Sequence, residues 1–237
     1  MYSRSDIIKI SDLDTKYQQT TSSLITFLID CEMLHIDSLT VFNKFCQDNN
    51  VGIFLTYRQI DIKRRLKFKD VINIVTFPYE TLPFLGYRNT VIYDQNNEIV
   101  AESYSLGNFV NIKTEKPIRL SEAVIDNIGK SPKHPMEYTN RRIILTPDYE
   151  LVKSVEIIIQ PLHIDIYQHV NNLDYVEFVL NHIDQDFEYN RVRTEYKLAL
   201  KLEDKASLTI YTKKDHYLGV ITNESGNVCC NIELIKL

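Results

Sequence analysis

The sequence predicts an α+β fold built from two similar halves, each with an apolar helix followed by several antiparallel strands. The runs Leu24–Leu34 and Val176–Leu180 are apolar on more than one face, as expected of a helix that a sheet wraps. Segments rich in β-branched and aromatic residues follow in each half, and these favour strands. A helix and a sheet that bury each other's apolar faces form a two-layer unit.

The first half is expected to begin with a short strand, followed by a long helix from about Thr21 to Asn43. Strands are then predicted at Ile72–Phe77, Asn89–Tyr93 and Ile99–Leu106 from their β-branched and aromatic content. The last two are separated by Asp94–Asn97, whose residues tolerate the positive φ angles of a hairpin turn.

The middle of the chain is rich in proline and charge, which is typical of a linker, and a short helix is predicted at Ser121–Ile128 with Ser121 as its cap. We predict an N-terminal repeat over residues 1–125, a linker over residues 126–138 and a C-terminal repeat over residues 139–237.

The second half repeats the first. It has a β-branched strand at Val155–Ile159, a helix from about Asn171 to Ile183 and a hairpin turn at Asn223–Gly226. Aligning Asp14 with Asp165 also pairs apolar helix positions: Leu24 with Tyr175, Phe27 with Phe178 and Leu28 with Val179. Two tandem copies of a sheet wrapped around a helix predict a double hotdog.

Composition bounds the class of protein. The chain has 237 residues, of which 44% are hydrophobic and 25% charged, as in ordinary globular proteins with a substantial core. The net charge of −5 argues against non-specific nucleic-acid binding. No apolar run approaches the roughly 20 residues that span a bilayer, and the N-terminus has no apolar signal core. We therefore expect a cytoplasmic protein without a membrane span or a nucleic-acid partner.

Motifs for metals and nucleotides are missing. The four cysteines have no C-x-x-C spacing and no paired histidines beside them, so no metal site is predicted. The six glycines form no phosphate-binding loop, so no nucleotide cofactor is predicted.

The segment Ile164–Tyr175 lies between a predicted strand and a predicted helix. It brings together a carboxylate, Asp165, an imidazole, His169, and the amides of Asn171 and Asn172. An imidazole suits proton transfer near neutral pH, and N–H groups at a helix start favour developing negative charge. This pattern predicts a site for chemistry. The alternatives are a structural His169, an Asp165 that binds its own backbone in a turn and asparagines that only cap the helix.

The pattern Asp-x-x-x-His-Val-Asn-Asn-x-x-Tyr, from Asp165 to Tyr175, resembles the signature of the acyl-acyl-carrier-protein (acyl-ACP) thioesterases, the plant fatty-acid-releasing enzymes and their bacterial relatives. That family has Asp-x-Asn-x-His-Val-Asn-Asn-x-x-Tyr, so Tyr167 replaces an asparagine. Ala199 and Leu200 stand where the family carries glutamate and, in many plant members, cysteine. The resemblance implies a double hotdog that hydrolyses acyl-ACP to a free fatty acid and needs no cofactor.

The resemblance also implies roles for individual residues. His169, supported by Asp165, would activate water, and the helix start at Asn171 would stabilise the oxyanion. Tyr167 would help to position substrate or water, or would only line the cavity. The residues implied to contact substrate are Asn172, Tyr175, Leu24, Phe27 and Leu28.

The most basic segment of this acidic chain is Lys63–Lys69, whose alternation is typical of a strand. It is either a solvated sheet edge or a docking patch for the acidic carrier protein. The docking residues would be Lys63, Arg64, Lys67 and Lys69.

Two functional alternatives stay open. The first is a degenerate protein that binds acyl chains or ACP without efficient turnover, because Tyr167 and Ala199 depart from the family pattern. Glu195 is expected on the same strand face as Ala199 but too far away to replace the missing acid. The second alternative is an acyl-coenzyme A thioesterase. The sequence also leaves a homodimer open.

Overall fold

The computed structural model describes residues 1–237. The helices are α1 (Thr21–Ser38), α2 (Thr40–Asn49), α3 (Glu122–Ile128) and α4 (Asn172–Leu180). The strands are β1 (Tyr2–Ile7), β2 (Val51–Ile62), β3 (Val71–Thr81), β4 (Leu85–Asp94), β5 (Ile99–Asn111), β6 (Glu150–Ile158), β7 (Arg191–Tyr196), β8 (Lys205–Lys213), β9 (His216–Asn223) and β10 (Val228–Ile235). None of the helices has the length and apolar content needed to cross a bilayer.

The chain divides into two compact units. The first comprises Met1–Leu55 and Ile60–Tyr138, and the second comprises Thr56–Gln59 and Thr139–Leu237. Residues 126–138, predicted as a linker, are thus part of the first unit. The predicted repeat boundaries themselves stay a prediction.

The first unit is a sheet with strand order β1-β3-β4-β5-β2, and its β1-β3-β4-β5 ladder is antiparallel. Helix α1 lies on one face of this sheet and buries Leu24 and Leu28, which are 1% and 0% exposed. The Cys31 thiol of α1 donates a hydrogen bond to the Ile74 carbonyl of β3, 3.6 Å away. This helix-on-sheet arrangement confirms the predicted α+β class.

Helix α1 ends earlier than predicted, at Ser38 rather than Asn43, and α2 begins after the break at Leu39. Two polar side chains explain the break, because they take backbone carbonyls near the helix end. The Ser38 hydroxyl donates to the His35 carbonyl at 2.7 Å, and the Asn43 amide donates to the Asp37 carbonyl at 3.3 Å. Helix α2 then packs into a separate core with α3, formed by Phe42, Val51, Phe109, Leu120, Val124 and Ile128.

The predicted short helix exists as α3, with Ser121 at its N-cap position. The Ser121 side chain makes no capping hydrogen bond, so the predicted cap is present in position only.

The second unit repeats the order of the first, as β6-β8-β9-β10-β7, and is also antiparallel. Its helix α4 ends at Leu180, before the predicted Ile183. A Cβ atom on Gly219 of β9 would lie 2.3 Å from the Val179 Cγ2 atom of α4. The missing side chain at Gly219 therefore lets α4 lie directly against the sheet.

Two predicted strand segments are loops. Strand β2 ends at Ile62, and the basic segment that follows is a turn, because the Asp70 carboxylate accepts the Lys67 amide at 3.0 Å and Lys69 has a φ of 70°. Strand β7 likewise ends at Tyr196. Ala199 lies in the loop beyond it and is exposed, so the predicted strand face shared by Glu195 and Ala199 was wrong.

Candidate active site

The loop between β6 and α4 is held by its own hydrogen bonds. Ile164 and Val170 form an isolated antiparallel bridge that closes it. The Asp165 Oδ1 atom accepts the backbone N–H groups of Tyr167 at 2.8 Å and His169 at 3.2 Å, and the Asp165 N–H donates to the His169 carbonyl at 2.8 Å. Asp165 therefore has the turn role that the sequence analysis kept as an alternative.

The first unit contains the same loop. There the Asp14 Oδ1 atom accepts the N–H groups of Lys16 at 2.8 Å and Gln18 at 3.0 Å. A left-handed residue follows at the same place in both loops, Tyr17 with φ 57° and Gln168 with φ 63°. Because this first loop has Gln18 in place of the imidazole, the carboxylate shapes the turn whether or not a histidine follows.

The start of α4 is capped by Asn171, whose Oδ1 atom accepts the Leu173 N–H at 3.0 Å. The Asn171 N–H donates to the His163 carbonyl at 2.8 Å. By contrast, the Asn172 N–H and side chain make no hydrogen bond within the protein, and the residue is only half-buried. The first N–H of this helix is therefore available to an acceptor, at the end where the helix dipole favours negative charge.

A buried tyrosine ties the helix to the neighbouring loop. The Tyr175 hydroxyl oxygen accepts the Leu200 N–H at 2.9 Å, and the Leu200 carbonyl accepts the Val170 N–H at 2.7 Å. The Tyr196 ring meets Tyr175 edge-on at 5.7 Å, and its hydroxyl donates to the Asn172 carbonyl at 2.8 Å. Burial raises the pKa of Tyr175 well above its usual range, so it stays neutral. In this structure Tyr175 holds the start of α4 against the loop at Leu200. Its predicted contact with substrate stays a prediction.

The side chains of His169 and Tyr167, two of the predicted catalytic residues, are shielded from solvent to different extents. His169 is 9% exposed, and Tyr167 is half-buried. The backbone of both residues is fixed by the Asp165 carboxylate, so the loop presents them in a defined way.

One titratable group was missed by sequence reasoning. Burial raises the pKa of Asp174, in the first turn of α4, to about 6; nearby His163 lowers it in part and Glu177 raises it further. The His163 Nδ1 atom accepts the Gln160 N–H at 3.1 Å, which places the proton of a neutral ring on Nε2. An acid in a first helical turn was visible in the sequence, but the burial that changes its titration was not.

Glu195 and two of the positions that depart from the family pattern, Ala199 and Leu200, lie close together along the chain but differ in their surroundings. The Glu195 Oε2 atom accepts the Ile143 N–H at 3.1 Å and the Asn231 side-chain amide at 3.2 Å, so this carboxylate holds backbone and strand together. Leu200 is buried and Ala199 is exposed. No three His, Cys, Asp or Glu side chains are grouped so that they could hold a metal ion.

The predicted docking residues differ from one another. Lys63 forms an ion pair with buried Glu102 at 2.6 Å, and Arg64 pairs with Asp94 at 2.6 Å. The hydrogen bond from Arg64 is the main reason why the pKa of Asp94 is lowered. Lys67 and Lys69 form no ion pair within the protein and are exposed, so they keep their charge for a partner.

Two sheets that each wrap a helix, with the same Asp-closed loop before each helix, define a protein of the hotdog class. Comparison with known proteins places it within that class. The profile of the acyl-ACP thioesterase N-terminal domain matches residues 1–128, and the profile of the C-terminal domain matches residues 150–234. The chain belongs to the acyl-ACP thioesterase family, whose members hydrolyse acyl-ACP, and it is a thioester hydrolase.

Solved structures agree on the fold. The acyl-ACP thioesterase from Bacteroides thetaiotaomicron is 18% identical with a TM-score of 0.85, and the match covers 98% of this chain and 96% of that chain. The 12:0-ACP thioesterase from Umbellularia californica is 13% identical with a TM-score of 0.85, covering 99% and 96%. A putative oleoyl thioesterase from Lactobacillus plantarum is 18% identical with a TM-score of 0.84, covering 98% and 94%. No curated protein sequence matches. The family resemblance and the double hotdog predicted from the sequence are confirmed.

Proposed function

We propose that acyl-ACP is hydrolysed at the loop between β6 and α4, with His169 as the general base. A water molecule attacks the thioester carbonyl carbon and passes a proton to the His169 imidazole. The carbonyl oxygen becomes an oxyanion, the carbon–sulfur bond breaks, and the leaving thiolate takes the proton. The products are a free fatty acid and the thiol of the carrier protein.

The observation that carries this proposal is the unpaired Asn172 N–H next to the loop that presents His169. A preorganised donor of this kind stabilises the oxyanion by several kcal/mol in enzymes that transfer acyl groups. Asn171 then acts as the cap that keeps the donor in place, because its side-chain oxygen is engaged with Leu173. Asp165 positions His169 through the loop backbone. Tyr167 is a candidate to hold the water or the substrate with its phenol.

The acyl chain is proposed to lie against α1 of the first unit, beside Leu24, Phe27 and Leu28. The first turns of α1 carry apolar side chains, which suit contact with a hydrocarbon chain.

Acyl carrier protein is the proposed docking partner, and we place the reaction in the cytoplasm. Within the predicted patch, Lys67 and Lys69 are the residues with charge to offer, since Lys63 and Arg64 are paired with Glu102 and Asp94. A homodimer stays an open alternative that the mass of the protein in solution decides.

The test is the rate of thiol release from acyl-ACP by wild type, His169→Ala and His182→Ala. His182 is the matched control, because its Nδ1 atom is 2.8 Å from the Phe178 carbonyl at the far end of α4. We expect His169→Ala to lose about 10²–10⁴-fold in kcat, the usual scale for a general base, while His182→Ala keeps its rate. A folded His169→Ala variant with wild-type turnover would exclude His169 as the base. A wild-type protein that binds acyl-ACP without releasing thiol would favour a degenerate protein that only binds acyl chains or ACP. Faster thiol release from acyl-coenzyme A than from acyl-ACP would favour an acyl-coenzyme A thioesterase.

A further inference from the structure

The first residue of α4, Asn172, supplies the free N–H of the proposed oxyanion site. Helix α4 has only nine residues, and the ends of short helices open readily unless other elements hold them. A donor that stabilises an oxyanion must instead be fixed before the reaction begins. The contacts that hold Asn172 within the second unit therefore bear on catalysis.

The peptide groups on both sides of Asn172 are fixed by hydrogen bonds. In the peptide group before it, the Asn171 carbonyl accepts the Asp174 N–H at 3.0 Å. In the peptide group after it, the Leu173 N–H donates to the Asn171 Oδ1 atom at 3.0 Å. The carbonyl of that second group, which belongs to Asn172, accepts the Tyr196 hydroxyl at 2.8 Å. Three of these four polar groups have partners, and the Asn172 N–H is left for a ligand.

Tyr196 is the one of these partners that lies outside α4 and its cap. It is the last residue of β7 and is paired with Cys230 of β10, so its hydroxyl ties the helix start to the sheet. The ring is held edge-on against Tyr175 of α4, with the ring centres 5.7 Å apart. Burial raises the pKa of the Tyr196 phenol well above its usual range, so the hydroxyl keeps the proton that it donates.

We propose that Tyr196 is a positioning residue for thioester hydrolysis, whose hydroxyl holds the Asn172 carbonyl and thereby keeps the N–H of the same residue in place for the oxyanion. This inference rests on the proposed function, because it takes the Asn172 N–H to be the oxyanion donor. Without the hydroxyl, the donor is less well fixed when the negative charge develops. The loss should therefore fall on the transition state and not on substrate binding.

The experiment compares Tyr196→Phe with Tyr149→Phe by the rate of thiol release from acyl-ACP. Each change removes one hydroxyl and keeps the ring. Tyr149 is the matched control, because its hydroxyl also donates a 2.8 Å hydrogen bond, to Glu233, and its ring packs in a separate cluster with Ile143 and Leu218. We expect Tyr196→Phe to lower kcat about 10-fold, which is less than the complete loss of an oxyanion donor costs. KM should stay within about two-fold of wild type, and Tyr149→Phe should keep both constants.

Stability and pH dependence separate positioning from folding. Both variants should melt below the wild-type temperature, because each leaves an acceptor without its donor. Well below the melting temperature, however, only Tyr196→Phe should be slow. Its pH profile of kcat should keep the wild-type shape, because His169 remains the base. The proposal is overturned if Tyr196→Phe keeps the wild-type kcat, if it raises KM alone, or if both variants lose turnover equally.

Failure of the proposed function has a different signature. Folded wild-type protein would then release no thiol from acyl-ACP, or His169→Ala would keep the wild-type rate. In that case the NMR order parameter of the Asn172 amide still tests the tether. It should be lower in Tyr196→Phe than in wild type and Tyr149→Phe, and equal order parameters in the three proteins would overturn the positioning role as well.

Discussion

Replacing Gly219 with alanine should destabilise the second unit and disturb the proposed site through α4. The new methyl group would lie 2.3 Å from Val179 Cγ2, 3.2 Å from Val179 Cγ1 and 3.3 Å from Leu208 Cδ1. Carbon atoms in contact are normally about 3.5–4.0 Å apart. Val179 cannot easily turn away, since a valine in a helix has one strongly preferred rotamer. The helix must therefore move by more than about 1 Å relative to β9 if ordinary contact distances are to be restored.

The magnitude follows from two opposing terms. Overpacking of a filled core costs about 1–3 kcal/mol, and replacing glycine gains about 0.4–1 kcal/mol by restricting the unfolded chain. Because the closest contact would be only 2.3 Å, the overpacking cost lies near the upper end of its range, and the net loss for Gly219→Ala is about 2 kcal/mol. At about 2–4 °C per kcal/mol for a protein of this size, the melting temperature should fall by roughly 4–8 °C.

The assay is a double-mutant cycle with Val179→Ala, followed by thermal unfolding and by the rate of thiol release. Val179→Ala alone leaves a cavity and destabilises, but the added methyl at position 219 should partly fill that space. The double variant should therefore be more stable than the sum of the single effects by about 1–3 kcal/mol. Because Asn172 is the first residue of α4, turnover should fall in Gly219→Ala and recover in the double variant.

Gly226→Ala is the control for backbone strain. Gly226 has a φ of 77° but no atom within 4 Å of an added Cβ, so Val179→Ala should not rescue it. The reasoning is refuted if Gly219→Ala is as stable as wild type, or if Val179→Ala rescues both glycine variants equally.

The remaining predictions concern charge. Because the pKa of Asp174 rises from 3.8 to about 6 on folding, the contribution of this group to stability is greatest below pH 4 and is lost as the pH rises through 6. Full burial would make this loss about 3 kcal/mol, and partial exposure reduces it to roughly 1 kcal/mol. In urea unfolding Asp174→Asn should match wild type at pH 4 and exceed it at pH 8, and a difference independent of pH would contradict this. Reversing Lys67 and Lys69 to glutamate should raise KM for acyl-ACP far more than for acyl-coenzyme A, with a steeper salt dependence for the carrier substrate. Equal effects on both substrates would make the patch a solvated loop.

Sequence patterns predicted the parts of the fold that depend on local composition and on the repeat. Residue type and spacing predicted the strands that contain Ile74, Val91 and Val100, and the helix starts near Thr21 and Asn172. The break at Leu39 was not predictable in this way, because it depends on which carbonyls the side chains of nearby polar residues reach. The alternation of the basic segment was misleading for a similar reason, since Asp70 captured the Lys67 amide and closed a turn.

The sequence predicted which residues form the candidate site, but not which hydrogen bonds each of them makes. The pattern singled out Asp165, His169 and Asn171, yet the structure engages the Asp165 oxygen with backbone and the Asn171 oxygen with the helix cap. What the spacing could not show is which donor remains free, and that donor belongs to Asn172.

The two copies of the loop show which residues the scaffold requires and which residue is specific to the second copy. Asp14 and Asp165 close the same turn, and Thr20 and Asn171 cap the helices that follow, so the carboxylate and the cap are requirements of the scaffold. The sequence differs where function would act. The second loop places an imidazole where the first has Gln18, and its helix α4 is short and pressed against the sheet by Gly219. The first helix is twice as long, with 18 residues against 9. Under the proposed function the second copy therefore carries the chemistry, because only its loop has the imidazole. Substitutions at position 169 should then change turnover on every substrate, whereas Gln18→Ala in the equivalent place of the first loop should not.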